Sequence, residues 1–351
     1  MLHYILGVNS PPAKPLRVCA TRGPFLFNVL GDLVPVPPHL PKDSQRIEYL
    51  RNKGYFGETP FGDELLAQLS HINFHYFLGY ARNYARLYEL GIFKGKRDPQ
   101  HVFDLISLDQ KVATLLFDWI RRAELGLRNR TVDFFCANGS PTSYLDESRL
   151  MQLSEDYDER EIVGGMLKEI FRYGEDYVIG SLNKKADELG CKKPNRYSPA
   201  SHDLCLSLSQ DLALWSVIDC FSLGQLGKFI MVCDADVDDY EQRTWRRLAA
   251  DLGMKAPVFS KGIESLSNTR NLVCHHARLW MRPATHSPKK PRIFDKQLRD
   301  VDPKSQLMAF ANVAHFQRSD LKREALESIF SLAQSNEMYF YGISQTSHKK
   351  R

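Results

Sequence analysis

Apolar residues return every three or four positions along most of the chain, the spacing that places them on one face of an α-helix. The clearest run is His101 to Phe135, where Leu105, Leu108, Val112, Leu115, Leu116, Trp119 and Ile120 predict one long helix or two joined ones. Helical spacing also runs through IEYLRNKGYF and ELLAQLSHINFHYFLGYARNYARLYEL, then through IVGGMLKEIFRY in the charged stretch to about Lys193. DLALWSVIDCFSLGQLGKFI reads as a buried helix that stops near Ser222 to Gly227, where glycines and a serine offer turn chemistry. SKGIESLSNTRNLVCHHARLWM reads as a helix ended by Pro283, because proline cannot continue the hydrogen-bond ladder. RPATHSPKKPR reads as a loop, and two more helices are expected near QLMAFANVAHF and SDLKREALESIFSLAQ. Strand-like alternation is nearly absent, so the predicted fold class is all-α.

Punctuation sets the expected organisation. Residues 1–42 hold Pro11, Pro12, Pro15, Pro24, Pro35, Pro37, Pro38 and Pro41, a density that blocks helix interiors and predicts a loosely ordered extension. The body is expected over 43–345, with a basic tail at 346–351 and a break at Asn138 to Pro141. With 351 residues, 43% of them hydrophobic, the chain can build a sizeable core. The excess of 47 basic over 42 acidic residues, +5, permits an RNA or phosphate partner without requiring one. The cysteines at 19, 136, 191, 205, 220, 233 and 274 form no close pair and no zinc-finger spacing, so reduced thiols are expected. No stretch reaches about 18 consecutive apolar residues and no basic run precedes the first apolar patch, so a cytoplasmic protein without a membrane partner is expected.

Candidate chemistry concentrates between Ser267 and Arg282. On an ideal helix Asn271, His275, Arg278 and Arg282 share a polar stripe about 60° wide, with Arg270 at its edge. Leu266, Val273 and Trp280 cluster behind. Guanidinium groups around an imidazole suit phosphodiester chemistry, since the forks match phosphate oxygens and imidazole titrates near neutrality. A neutral His275 is placed to accept the proton of a ribose 2′-hydroxyl, with Asn271 one turn earlier to orient the ring. Such an attack needs no metal and would leave a 2′,3′-cyclic phosphate, a route closed to DNA. Spacing alone leaves plainer roles open. His276 falls toward the apolar side and reads as a core histidine. Arg282, beside the expected end of the helix, suits either a phosphate or the helix C-terminus. Glu124 and Arg128, four apart, read either as a solvated intrahelical pair or as part of the site.

SLSNTRNLVCHHARLWMR resembles the signature of the Abi-like abortive-infection family, whose members defend bacteria against bacteriophage and contain a HEPN-type helical domain. LSHINFHYFLGYARNY, FDLISLDQKVATLLFDWIRRAELGLRNRT and LWSVIDCFSLGQLGKF resemble further helices of that family in the same order, from about residue 43 to 282. The resemblance implies a HEPN-like bundle with additional N- and C-terminal helices. It implies Arg270, Asn271 and His275 as catalytic residues and Arg128 as a supporting one; Arg278, Arg282, Glu124 and His276 are the further candidates for binding RNA phosphate or supporting the site. Because HEPN motifs commonly pair across one cleft and this chain carries one copy, a homodimer with a composite site is implied. An RNA substrate and a small noncoding RNA or antitoxin are the implied partners, with no cofactor and no metal. The chain departs from the family pattern at Asp219, where Glu is usual, and at Met281, where Asn is expected, and neither change removes a proposed catalytic group. The competing reading is a non-catalytic RNA-binding or regulatory module on the same scaffold. Modification by a nucleotidyltransferase partner would call for a tyrosine close after His275, and none follows.

Overall fold

The computed structural model describes residues 39–57, 59–151 and 158–345. Most of the proline-rich extension expected over 1–42, and the basic tail expected over 346–351, lie outside them. The chain divides into two compact units, Met1–Val102 and Phe103–Arg351. The described residues contain fourteen α-helices and no strands, so the fold is all-α.

In the first unit α1 (Asp43–Asn52), α2 (Asp63–Ser70) and α3 (Phe74–Glu89) surround an aromatic core. The long apolar pattern of this region is cut in two by Asn73, whose side chain accepts hydrogen bonds from the backbone N–H groups of His75 and Tyr76 and so starts α3. Phe56, Phe77, Tyr80 and Tyr84 are buried, and the Tyr84 hydroxyl accepts from the backbone N–H of Asp98 at 2.8 Å.

Helix α4 (Pro99–Ala137) is a single helix of 39 residues. From Phe103 onward it belongs to the second unit, where Leu105, Leu108, Val112, Leu116, Trp119, Ile120, Ala123 and Leu127 are buried in a stripe at helical spacing. Then come α5 (Glu159–Tyr173), α6 (Asp176–Glu188), α7 (His202–Ser209) and the single turn α8 (Leu214–Val217). They are followed by α9 (Leu223–Val232), α10 (Thr244–Asp251), α11 (Ala256–Cys274), α12 (Gln306–His315), α13 (Lys322–Gln334) and α14 (Glu337–Ser344). Helices α6, α7, α10 and α14 are additional to those expected; α7, α10 and α14 have only 8 residues each, about two turns.

The segment expected to be one buried helix ending near Ser222 is instead a corner. After α8 and a 3₁₀ turn at Ile218–Cys220 a new helix starts, with the Ser222 side chain accepting from the backbone N–H of Gln225. Ser222 is therefore an N-cap rather than a stop. Its own N–H and hydroxyl donate to the two oxygens of Glu169 on α5, at 2.8 and 2.7 Å. Helix α11 is the hub of this unit and packs against α9, α10 and α12. One close approach uses glycine: a Cβ on Gly262 of α11 would meet Phe316 at 2.7 Å. The Asn312 amide of α12 donates to the Gly262 carbonyl at 2.9 Å, which ties the two helices polar atom to polar atom inside the core.

Candidate functional site

Helix α11 is shorter than its sequence pattern predicts. It ends at Cys274, nine residues before Pro283, and His275 is its C-cap. Termination comes from the backbone. His276 adopts φ +52°, the His276 N–H donates to the Val273 carbonyl at 3.1 Å, and the Ala277 N–H donates to the Leu272 carbonyl at 2.9 Å. This pair of bonds around one left-handed residue is the Schellman closure, ordinarily made with glycine. His276 is exposed and is not the core histidine that the helical wheel placed it as.

The early stop divides the predicted stripe. Arg270, Asn271 and His275 remain together on the last turn and cap of α11, and the His275 N–H donates to the Asn271 carbonyl at 3.0 Å. Asn271 and His275 are exposed and Arg270 is half-buried. Glu264, exposed on the same face two turns before Asn271 and three before His275, pairs through Oε1 with Nδ1 of His286 at 2.6 Å, so the loop after the motif returns along α11. Arg278 and Arg282 are not on the helix. They belong to the segment that follows the closure, and Arg282 therefore cannot cap α11. Burial pushes the Arg282 guanidinium pKa down from its ordinary value.

That segment is held from behind. Leu279 and Trp280 are fully buried. Asp109 of α4, 2% exposed, accepts from the backbone N–H groups of Leu279 at 2.9 Å and Trp280 at 3.2 Å, and from the Tyr339 hydroxyl at 2.6 Å. The Trp280 indole donates to the Met338 carbonyl at 3.1 Å, and the Met281 N–H donates to the Gly342 carbonyl at 3.0 Å. Gly342 is required by contact: a Cβ there would lie 2.0 Å from the indole nitrogen. Four residues downstream of His275, the backbone is thus fixed to α4 and α14, which leaves the imidazole between a helix end and an anchored strap.

Asp109 was not singled out in the sequence, yet a signal exists. It stands four residues after Leu105 and three before Val112, a carboxylate in the middle of an apolar stripe.

Arg128 and Glu124 act at the α8–α9 corner. The 8%-exposed Arg128 takes the Glu124 carboxylate at 2.5 Å, donates to the Phe221 carbonyl at 2.6 Å and donates to the Ile218 carbonyl as well. The pair is therefore neither solvated nor free. Three fixed acceptors suit the planar fork of arginine better than lysine. The corner it secures leads into α9, where a Cβ on Gly224 would touch Ser267 of α11 at 3.4 Å. Asp219 stays largely in solvent, 4.0 Å from Nε of Arg128.

Among the described residues no group of three or more His, Cys, Asp or Glu side chains is arranged to hold a metal ion, and no helix is long and apolar enough to cross a membrane. The six described cysteines are free.

These features define a class: an all-α protein whose central helix ends in an exposed imidazole beside an arginine and an asparagine. The Abi-like protein family model matches residues 67–281, more than half of the chain, and the chain belongs to that family. The matched region closes at the anchored strap. No curated protein and no solved structure matches the chain significantly.

Proposed function

We propose that this protein is a metal-independent HEPN-type endoribonuclease acting in abortive-infection defence against bacteriophage. The observation that carries the reading is the exposed His275 on the cap of α11, with Asn271 and Arg270 on the turn before it. A ring in solvent can reach a ribonucleotide, whereas one packed among aliphatic side chains could not. Family membership supplies the biological setting.

In the proposed reaction a ribose 2′-oxygen bonds to the adjacent phosphorus while the P–O5′ bond breaks. The 2′-hydroxyl proton passes to neutral His275, and the departing 5′-oxygen takes a proton from water or from the imidazole of a second copy. The products are a 2′,3′-cyclic phosphate and a 5′-hydroxyl. Arg270 neutralises the phosphate, assisted by the flanking Arg278 and Arg282. Asn271 holds the ring, and Arg128 with Glu124 positions the corner behind α11. Two copies are proposed to pair with their His275 faces on one cleft, and a small noncoding RNA or antitoxin to restrain them.

Purified protein incubated with end-labelled RNA in EDTA is expected to yield cyclic-phosphate ends. His275→Ala and Arg270→Ala are expected to lower cutting by about 100-fold or more at unchanged thermal stability. Light scattering is expected to show a dimer. RNA that is bound but stays intact, or cutting that survives both substitutions, would replace the nuclease by the non-catalytic RNA-binding module.

A further inference from the structure

Helix α11 begins at the opposite end from the motif, about 30 Å away along its axis at 1.5 Å per residue. There it borders a cavity of 490 Å³ formed with the loop after Pro288 and the α12–α13 connection. Five cationic side chains line it, Lys255, Lys289, Lys290, Arg292 and Lys322, together with His315, and no carboxylate does. Lys290 has a partner in Asp295 at 3.3 Å, outside the lining. Among the described residues no ion pair engages the other four. This concentration of one sign is far beyond what a net charge of +5 over 351 residues would place in one hollow.

Two of the groups are built into the protein rather than waving from its surface. Lys322 is 3% exposed, and its ammonium makes one hydrogen bond, to the Leu252 carbonyl at 2.5 Å, leaving two N–H directions. His315 is 5% exposed and its Nδ1 has no hydrogen-bond partner. Its ring is held edge-on against Phe294 at 6.1 Å. A buried ammonium and a buried unpaired ring nitrogen both cost stability unless something polar meets them. Burial lowers the Lys322 pKa to about 8, and burial followed by the charge of Lys322 lowers that of His315 to about 3. An anion would relieve both, pairing the ammonium and accepting from an Nδ1–H. The positive end of the dipole of the 19-residue α11 also borders the hollow, and no side chain caps that terminus; its first turn adds little by way of backbone donors, since Pro257 has no N–H and the Val258 and Phe259 N–H groups donate to the Lys255 carbonyl. The apolar side chains of Val258 and Ile293 also line the hollow and give a surface on which a flat ring can lie. Its volume falls in the range of small-ligand sites.

We propose that this cavity binds a free nucleoside polyphosphate, with the phosphate chain against Lys322, His315 and the start of α11. This site is separate from the motif and does not depend on the proposed nuclease activity.

The test is calorimetric titration of the full-length protein with ATP, GTP, CTP and UTP in turn, alongside inorganic pyrophosphate, adenosine and a 5′-triphosphorylated RNA oligonucleotide. At least one nucleoside triphosphate is expected to bind saturably at submillimolar concentration and to raise the melting temperature. Pyrophosphate is expected to bind more weakly and adenosine not at all. The surface double variant Lys289→Ala/Lys290→Ala is expected to keep its fold and weaken binding at least 10-fold. Lys322→Met is expected to do the same, and if it fails to fold the double variant decides. His275→Ala is expected to bind as wild type. Failure of all four triphosphates at millimolar concentration, binding that the double variant leaves unchanged, or a preference for the triphosphorylated RNA over every free nucleotide would each overturn the proposal.

Discussion

His276 occupies a backbone conformation that disfavours any residue with a Cβ, and it does so next to the candidate catalytic ring. Glycine there would adopt φ +52° without steric cost, at the price of a more flexible unfolded chain. Valine would meet its worst clash. His276→Gly is expected to change unfolding free energy by no more than about 1 kcal/mol, and His276→Val to lower it by about 1–3 kcal/mol, by urea denaturation. Equal losses in the two variants would mean that the imidazole itself, not the left-handed backbone, matters for stability. The helical wheel misplaced this residue because a wheel assumes that the helix continues. No glycine announces the closure in HHARLWMRP, so the first visible stop signal was Pro283, well past the real one.

At the scale of elements, the motif depends on a helix that lies outside the family match. Helix α14 supplies the Tyr339 hydroxyl, the Met338 and Gly342 carbonyls, and a glycine surface for Trp280. Asp109 of α4 joins them from the other side. Removing that carboxylate would strand two buried backbone N–H groups and a buried hydroxyl, each worth about 1–3 kcal/mol when left unpaired. Asp109→Ala is accordingly expected to lower stability by about 3 kcal/mol or more, with increased hydrogen exchange at residues 279–281. Asp109→Asn retains an acceptor oxygen and is expected to cost less. If the exchange at 279–281 were unchanged in the alanine variant, the strap would be held by α14 alone.

At the scale of the molecule, acid stability reports on the buried basic hollow. His315 takes up a proton near pH 6.5 when the chain is unfolded but only near about pH 3 when burial keeps it neutral. Between those values the unfolded state binds more protons, so the contribution of this residue to stability is lost as pH falls through the window. Lys322 is protonated in both states there and adds no slope. His315→Gln removes the titration. The stability difference between wild type and variant is therefore expected to shrink, or to reverse in favour of the variant, as urea denaturation is repeated from pH 7 down to pH 4. A difference independent of pH would show that the folded ring titrates normally.

The fold class followed from the three- and four-residue recurrence of apolar positions, because a helix satisfies its backbone locally and needs only one apolar stripe. The long α4 and the close set of Arg270, Asn271 and His275 followed for the same reason: all their relations lie within a turn or two of one helix. Short helices such as α7 and α10 carry too few repeats to be read, and the break at Ser222 turned on a cap bond and the approach of Glu169, 53 residues away. Arg128 looked like half of a surface pair until the carbonyls of Ile218 and Phe221, some 90 positions on, came to it. Where α11 ends, why Asp109 sits among leucines and how Lys322 meets His315 are likewise long-range facts. Local periodicity determined which residues share a helix face; only the packed chain decided where that face stops and what closes over it, since burial and hydrogen bonding link positions that are remote in sequence.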